Sequence, residues 1–242
     1  MTGPDPSLTD KTPARVAGMF DAIAPRYDAL NHLLSAGLDR GWRRRAVREL
    51  HLTGRERVLD MCTGTADLAM EAATSRHGRA AEVVGVDFAP EMLRLGLAKV
   101  REAGLGARIH LARGDATRAP LADRSCDAAL VAFGIRNVAD PAAACREFAR
   151  IVRPGGRLAV LEFGAPAWPG LRHAYGWYFR AVLPRIGRWV SRHGEAYSYL
   201  PASVAEFPSP QAFMAIVRSA GFRSVRHVPL TCGIVSLFVA ER

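Results

Sequence analysis

Three observations predict an α/β protein with a mostly parallel seven-stranded sheet and an antiparallel C-terminal hairpin. From Arg57 onward, short apolar runs alternate with stretches of helical periodicity, the pattern of strands joined by crossover helices. The first run ends in an acid and feeds a tight turn around one glycine, R-V-L-D-M-C-T-G-T-A-D-L-A (Arg57–Ala69). Such a turn aims backbone N–H groups and a helix N-terminus at a ligand above the sheet edge. The last two runs are separated by a few residues only, too few for a parallel crossover.

In chain order, residues 1–15 are polar, hold Pro4, Pro6 and Pro13, and read as a disordered tail with no secretory or membrane-spanning segment. A single domain is expected over 16–242, opening with N-terminal helices in 16–50. Val16–Leu34 has helical spacing interrupted at Pro25, and a second helix covers Arg40–Leu50 with Arg43, Arg44, Arg45 and Arg48 on a solvated or lipid-facing side. Arg57–Met61 reads as strand, Asp67–Arg76 as helix and Glu82–Asp87 as strand. A helix then starts at Pro90, where a missing N–H costs little. Strands follow at Arg108–Ala112 and Asp127–Phe133. A helix over Pro141–Val152 is ended by Pro154-Gly155-Gly156 ahead of the strand Arg157–Phe163. After an insertion over 164–208 come a helix, Ser209–Ala220, and the closing strands Val225–Pro229 and Ile234–Ala240.

A length of 242 residues suits one full α/β domain, and 49% hydrophobic with 23% charged residues describes a globular chain. Cys62, Cys126, Cys145 and Cys232 form no C-x-x-C pair, and the seven histidines form no metal-binding spacing. Cys62 and Cys126 therefore read as reduced packing residues of a cytoplasmic protein, with no metal centre. The formal charge of +10 comes almost wholly from arginine, since Lys11 and Lys99 are the only lysines. Phe163–Gly194 contains no Asp or Glu but carries Arg172, Arg180, Arg185, Arg188 and Arg192 among Trp168, Tyr175, Trp177, Tyr178, Phe179 and Trp189. That interleaving suits a membrane–water interface, single-stranded nucleic acid, or a packed helical cap over a site.

The ligand of an open α/β sheet lies at the C-terminal strand tips, near the topological switch point. Those tips present Asp60 with Thr63, Gly64 and Thr65, then Asp87 with Phe88, then Asp115 and Ala116, with Ala132 at the end of the fourth strand. Asp87 is placed to accept hydrogen bonds from two ribose hydroxyls, and Asp115–Ala116 to read an adenine edge. A dinucleotide needs G-x-G-x-x-G/A for its pyrophosphate, whereas C-T-G-T-A-D lacks the first glycine and is flanked by acids. S-adenosylmethionine, bringing a sulfonium and an ammonium, matches these carboxylates, and the terminal hairpin fits the Rossmann-like class I fold of methyltransferases that use it. Ala66 stands where a small turn residue, usually Gly, is expected, and its methyl group is expected to crowd the cofactor.

Five further motifs carry a resemblance. They are M-F-D-A-I-A-P-R-Y-D-A-L-N-H-L-L-S-A-G-L-D-R-G-W-R (Met19–Arg43), F-G-I-R-N-V-A-D (Phe133–Asp140), R-P-G-G-R-L-A-V-L-E-F (Arg153–Phe163), V-L-P-R-I-G (Val182–Gly187) and Y-L-P-A-S-V (Tyr199–Val204). Together they resemble the C-methyltransferases of menaquinone and ubiquinone biosynthesis, and C-T-G-T resembles the menaquinone branch more than the ubiquinone one. The resemblance implies methyl transfer from S-adenosylmethionine, leaving S-adenosylhomocysteine, to a ring carbon of a demethylated prenyl-naphthoquinol. It implies Thr65, Asp87, Asp115 and Ala116 as cofactor contacts; the family often has serine at the position of Ala132.

Arg136 is expected to stabilise the quinol phenolate or position a water, Asn137 to orient it, and Tyr27 to close the pocket. The expected partners are the prenylated quinol and, transiently, an anionic membrane surface at the inner face, with nucleic acid not among them and a homodimer left open. The rival readings are a methyltransferase acting on a demethyl-ubiquinol-type benzoquinol or another aromatic or polyketide acceptor and, in a different class, an inactive methyltransferase-like scaffold or a basic nucleic-acid-binding protein.

Overall fold

In a computed structural model of the chain, residues 10–164, 166, 170, 176 and 195–242 are described. The strands are β1 (Arg57–Met61), β2 (Glu82–Asp87), β3 (Ile109–Arg113), β4 (Cys126–Ala132), β5 (Val152–Phe163), β6 (Arg223–Leu230) and β7 (Val235–Glu241). They form one sheet in the order β3-β2-β1-β4-β5-β7-β6. All pairings are parallel except β5–β7 and β6–β7, so the closing hairpin is antiparallel as its short connection requires. The chain runs outward from β1 to β3 and then returns to β4 on the other side of β1. The switch point between β1 and β4 opens a crevice at their C-terminal ends.

The helices are α1 (Pro13–Leu34), α2 (Asp39–Glu49), α3 (Asp67–Thr74), α4 (Pro90–Glu102), α5 (Pro141–Ile151), α6 (Glu195–Glu206) and α7 (Pro210–Ser219). Strand residues alternate between two buried faces, which is why the strands read as near-continuous apolar runs. Val58, Leu130, Ala159 and Leu237 pack with Trp42, Val47, Ala69 and Val100 of α2, α3 and α4. Leu59, Val131, Val160 and Phe238 pack with Phe148 of α5 and Phe213 of α7 on the other face. Helix starts follow local chemistry: Asp140 accepts from the Ala143 N–H and Ser209 from the Ala212 N–H, each with a proline at the first helical position.

Four expectations need correction. Helix α1 starts at Pro13 and runs unbroken through Pro25; Pro25 is exposed, so water can take the carbonyl it frees, while Val16, Ala24 and Leu30 anchor the buried side. Residues 1–9 lie outside the described residues, but 10–15 are no tail: Asp10 accepts from the Thr12 N–H and hydroxyl and helix α1 follows directly. Arg43 is not solvated. It is buried, with Nη1 2.7 Å from Asp39 and 3.3 Å from Asp67, while Arg44 and Arg48 of the same helix are exposed. Pro154-Gly155-Gly156 sits inside β5 rather than before it: Gly155, at φ +81°, donates to the Arg242 carbonyl and Gly156 accepts from the Arg242 N–H, stitching the bulged segment to the chain end. Within the 164–208 insertion, α6 is helical, while the aromatic-basic residues from Trp168 to Arg192, with the Val182–Gly187 motif, fall outside the described residues.

Candidate active site

The loop after β1 is built by carboxylates from three elements. Thr63 donates its hydroxyl to Asp60 at 2.6 Å, the Gly64 N–H donates to Asp87 at 2.8 Å, and Thr65 donates its hydroxyl to Asp28 of α1 at 2.6 Å. Lys99 of α4 reaches Asp28 at 2.7 Å and also Asp67, and so offsets the charge gathered there. Gly85 of β2 is required in this construction: a Cβ there would stand 2.8 Å from the Thr63 hydroxyl oxygen and 2.6 Å from Leu111. The loop after β4 meets the same place. Phe133 turns the chain at φ +58°, and Gly134 lies so tightly against Cys62 that any side chain would overlap it.

A cavity of about 380 Å³ opens above these loops. Of the residues expected at the site, Tyr27, Gly64, Asp87, Phe88, Asp115, Ala116, Ala132 and Asn137 line it. Asp60, Thr63, Thr65 and Arg136 do not; Asp60 and Thr63 are bonded to each other, and Thr65 and Arg136 to other partners. Asp60 lies beneath the loop, holding Thr63; its other oxygen lies near the Ala69 N–H without closing a hydrogen bond. Thr65 spends its hydroxyl on Asp28 and accepts from Lys99 at 3.3 Å, which makes it a clamp on α1.

Arg136 is buried with Nη1 2.8 Å from Glu162 of β5, also bonded to the Phe133 carbonyl, and with its guanidinium carbon 5.3 Å from the Phe163 ring centre. Glu162 is fully buried, accepts from the Phe163 N–H as well, and cancels the arginine charge, so Arg136 is no free cation over the cavity. The sequence signal for Glu162 was a lone acid inside the apolar run L-A-V-L-E-F, which a buried strand tolerates only with a partner. Other residues missed by sequence reasoning are Lys11, Pro13, Phe20 and Met92 on the cavity wall, and Asp28 and Lys99 behind it.

The electrostatics of this edge favour a cation. Burial pushes the Asp60 carboxyl up to about 7 against the Thr63 hydrogen bond, with the Asp87 charge adding to the rise. Burial likewise raises Asp87, which accepts from the Gly64 and Ala89 N–H groups. A raised carboxyl binds its proton more tightly folded than unfolded, so ionising Asp60 erodes stability as pH climbs from about 4 to about 7, by about 4 kcal/mol at full ionisation. A cationic ligand offsets that cost, whereas a pyrophosphate would add to it. Burial, with Asp87 and Asp60 beside it, holds the Cys62 thiol well above its ordinary range, so Cys62 is a neutral wall residue. S-adenosylmethionine suits this lining, which sets the Asp87 and Asp115 carboxylates and the Gly64 turn beside the apolar Phe88 and Met92.

Sheet order and acid-lined switch point together define a class I S-adenosylmethionine-dependent methyltransferase. Among solved structures, the chain is similar to a possible histamine N-methyltransferase from Thermotoga maritima, with a TM-score of 0.64 at 21% identity, covering 93% of this chain and 98% of that one. In sequence it is 51% identical over 220 residues to a ubiquinone/menaquinone biosynthesis C-methyltransferase of Syntrophotalea carbinolica (91% of each chain). It is 46% identical over 224 residues to a demethylmenaquinone methyltransferase of Thermus thermophilus (93% of this chain, 100% of that one). Residues 8–242 match the model of the ubiE/COQ5 methyltransferase family, and the chain belongs to that family.

Two substitutions test this geometry. Ala66 sits in the left-handed region at φ +67°, but its methyl faces Gly96 of α4, whose own Cβ would stand 3.3 Å from it, and not the cavity. The expected crowding of the cofactor is therefore absent, and Ala66→Gly should leave S-adenosylmethionine affinity unchanged in calorimetry. Stability should move by less than about 1 kcal/mol, because relieved strain of about 1–2 kcal/mol is offset by about 0.8 kcal/mol of lost methyl burial and about 0.4–1 kcal/mol of added unfolded-state freedom. An affinity change of about tenfold would place the methyl against the cofactor after all. Secondly, Arg136→Met strands Glu162 and should cost about 3–5 kcal/mol in denaturant unfolding. The double variant Arg136→Met/Glu162→Leu should regain most of that stability; equal stability of the single variant and the wild type would remove the pair from the account.

Proposed function

We propose that the chain methylates a ring carbon of reduced demethylmenaquinone, a prenylated naphthoquinol, to give menaquinol. The observation that carries the reading is the join, in one cavity, of an acid-lined cofactor end with an aromatic wall of Phe20, Tyr27 and Phe133 able to take a flat ring. Phe133 packs on Phe163 with ring centres 4.7 Å apart and the rings tilted by 34°, and Phe20 meets Tyr27 edge-on at 6.0 Å, so both sides of that wall are fixed. The names of the curated relatives, which include demethylmenaquinone methyltransferase, support the same substrate class.

When bound, S-adenosylmethionine supplies a methyl group whose bond to sulfur breaks, with its electron pair left on sulfur, as the ring carbon forms the new bond; one proton per turnover leaves the quinol. The protein's part is positioning and exclusion of water. Asp87 and the Gly64 turn fix the donor end, while Tyr27 and Phe133 fix the plane of the ring. Asn137 lines the cavity and holds the Phe133 carbonyl at 3.4 Å. The Arg136–Glu162 pair, neutral as a unit, braces the turn that carries Asn137. Arg136 is thus a positioning residue in this reading rather than the direct counter-ion of a phenolate.

A lipid substrate also gives the surface a purpose. Leu33 and Leu38 are 59% and 48% exposed at the corner between α1 and α2, beside exposed Arg40 and Arg44. This combination favours transient contact with an anionic membrane surface. No helix among the described residues is long and apolar enough to cross a membrane.

The test is incubation with methyl-labelled S-adenosylmethionine and reduced demethylmenaquinone presented in anionic vesicles, against the demethyl-ubiquinol analogue. Label on a ring carbon of the naphthoquinol, with slower labelling of the benzoquinol, is expected. Label on oxygen, or on the benzoquinol alone, contradicts the assignment.

A further inference from the structure

Helix α1 carries an aromatic–acid pair twice, Phe20-Asp21 and Tyr27-Asp28, seven residues apart. Seven residues make about two helical turns, so the two pairs face the same way. Both rings line the cavity. Both acids reach from α1 to the start of a crossover helix. Asp28 holds Thr65 ahead of α3, and Asp21 Oδ1 accepts from the Glu91 N–H of α4 at 3.0 Å.

Helix α4 lacks a cap of its own. It starts just after Asp87 and Phe88, with Ala89 at the N-cap position and Pro90, which has no N–H, at the first helical position. The Glu91 N–H is the next donor at that end, and a carboxylate from α1 takes the place of the missing cap and complements the helix dipole. Beside this bond Phe20, Ala24, Ala89 and Met92 pack as a small apolar cluster, separate from the two cores on the sheet faces. Pro25 gives the joint its importance. Lacking an N–H, it leaves the Asp21 carbonyl without its bond along the helix, so the half of α1 that carries Phe20 is less firmly continued from the half that Asp28 anchors. Ahead of the helix Lys11 meets Glu206 of α6 at 3.6 Å, while next to the cavity wall it is Asp21 that ties this half down.

We propose that Asp21 is a positioning residue of the cofactor site: its bond to the start of α4 sets Phe20 against Phe88 and Met92, and so fixes the separation of the two cavity walls that hold S-adenosylmethionine. Asp21 acts through Phe20 and is not itself part of the cavity lining. Its contribution is the bond and not the charge. Burial is the main cause that raises the Asp87 carboxyl, and the Asp21 charge adds to that rise. A neutral acceptor at position 21 therefore keeps the clasp while making Asp87 easier to ionise.

The test uses S-adenosylmethionine alone, so it stands or falls apart from the quinol reading. Cofactor affinity by calorimetry and the unfolding midpoint in urea are measured on the full chain for Asp21→Ala, Asp21→Asn, Phe20→Ala and the double variant Asp21→Ala/Phe20→Ala. Asp21→Ala, which loses the acceptor, should weaken binding by about tenfold, and Asp21→Asn, which keeps an acceptor without the charge, should stay within about twofold of the wild type. The double variant should bind within about twofold of Phe20→Ala, because the two side chains act as one unit. A lowered midpoint with unchanged affinity in Asp21→Ala would make the bond a helix cap only and overturn the proposal. Equal losses in Asp21→Ala and Asp21→Asn would assign the effect to charge and overturn it as well. Additive losses in the double variant, or unchanged affinity in Phe20→Ala, would remove the ring from the argument with the same consequence.

Discussion

Three consecutive residues of one loop, Thr63, Gly64 and Thr65, are each held by a carboxylate from a different element: Asp60 of β1, Asp87 of β2 and Asp28 of α1. The cofactor site depends on this pinning. It fixes the turn between β1 and α3 with two hydroxyls and one backbone N–H, so the loop does not have to be ordered by its ligand. It also joins α1 to the sheet edge, which is how Phe20 and Tyr27 come to wall a cavity whose floor is made by strand tips. Concentrating acids at a nearly dry edge raises the proton affinity of Asp60 and Asp87, and that cost makes the site receptive to a cation and hostile to a pyrophosphate.

The rest of the polar interior offsets the same concentration of charge. Lys99 stands between Asp28 and Asp67, and Arg43 between Asp39 and Asp67, so the acids at the root of α1 and α3 are paired even though those at the cavity are not. Arg136 and Glu162 form a second, separate pair between the turn after β4 and the end of β5. The division is spatial: paired charges hold the α1, α2 and β4 loop segments in place, while Asp87, without a cationic partner, lines the cavity and Asp60 lies beneath the loop. Arginine therefore serves the fold in at least two buried places here and is not merely a source of net positive charge.

Much of this was legible in the sequence because it is local. Strand tips follow from apolar runs ending in Asp60 and Asp87, the antiparallel hairpin from a short connection, and the helix starts from Asp140-Pro141 and Ser209-Pro210. What stayed hidden depends on partners far apart in the chain. Thr65 and Asp28 are 37 residues apart, Lys99 and Asp28 are 71 apart, and Arg136 and Glu162 are 26 apart; no period or turn signal connects them. For that reason Thr65 read as a cofactor contact and Arg136 as a free cation, and Arg43 was set among solvated arginines. Ala66 was hidden for another reason: its identity suggested crowding, but the left-handed turn swings its methyl toward Gly96. Pro25 broke the expected helix only in one dimension, since an exposed proline on a helix anchored by its opposite face can be accommodated.

The central claim is that the acids which pin the loop also select the cationic cofactor, and Asp60 reports on it directly. Its carboxyl, raised to about 7, must lose its proton to offer a charge, so S-adenosylmethionine affinity should rise by about tenfold between about pH 5.5 and about pH 7.0, a range in which the ligand's own amine stays protonated. Calorimetry across that range on the wild type and on Asp60→Asn makes the comparison. The account predicts a steep wild-type dependence, with proton release on binding, and a much flatter one in the variant. A flat wild-type affinity, or the same slope in both proteins, would contradict it.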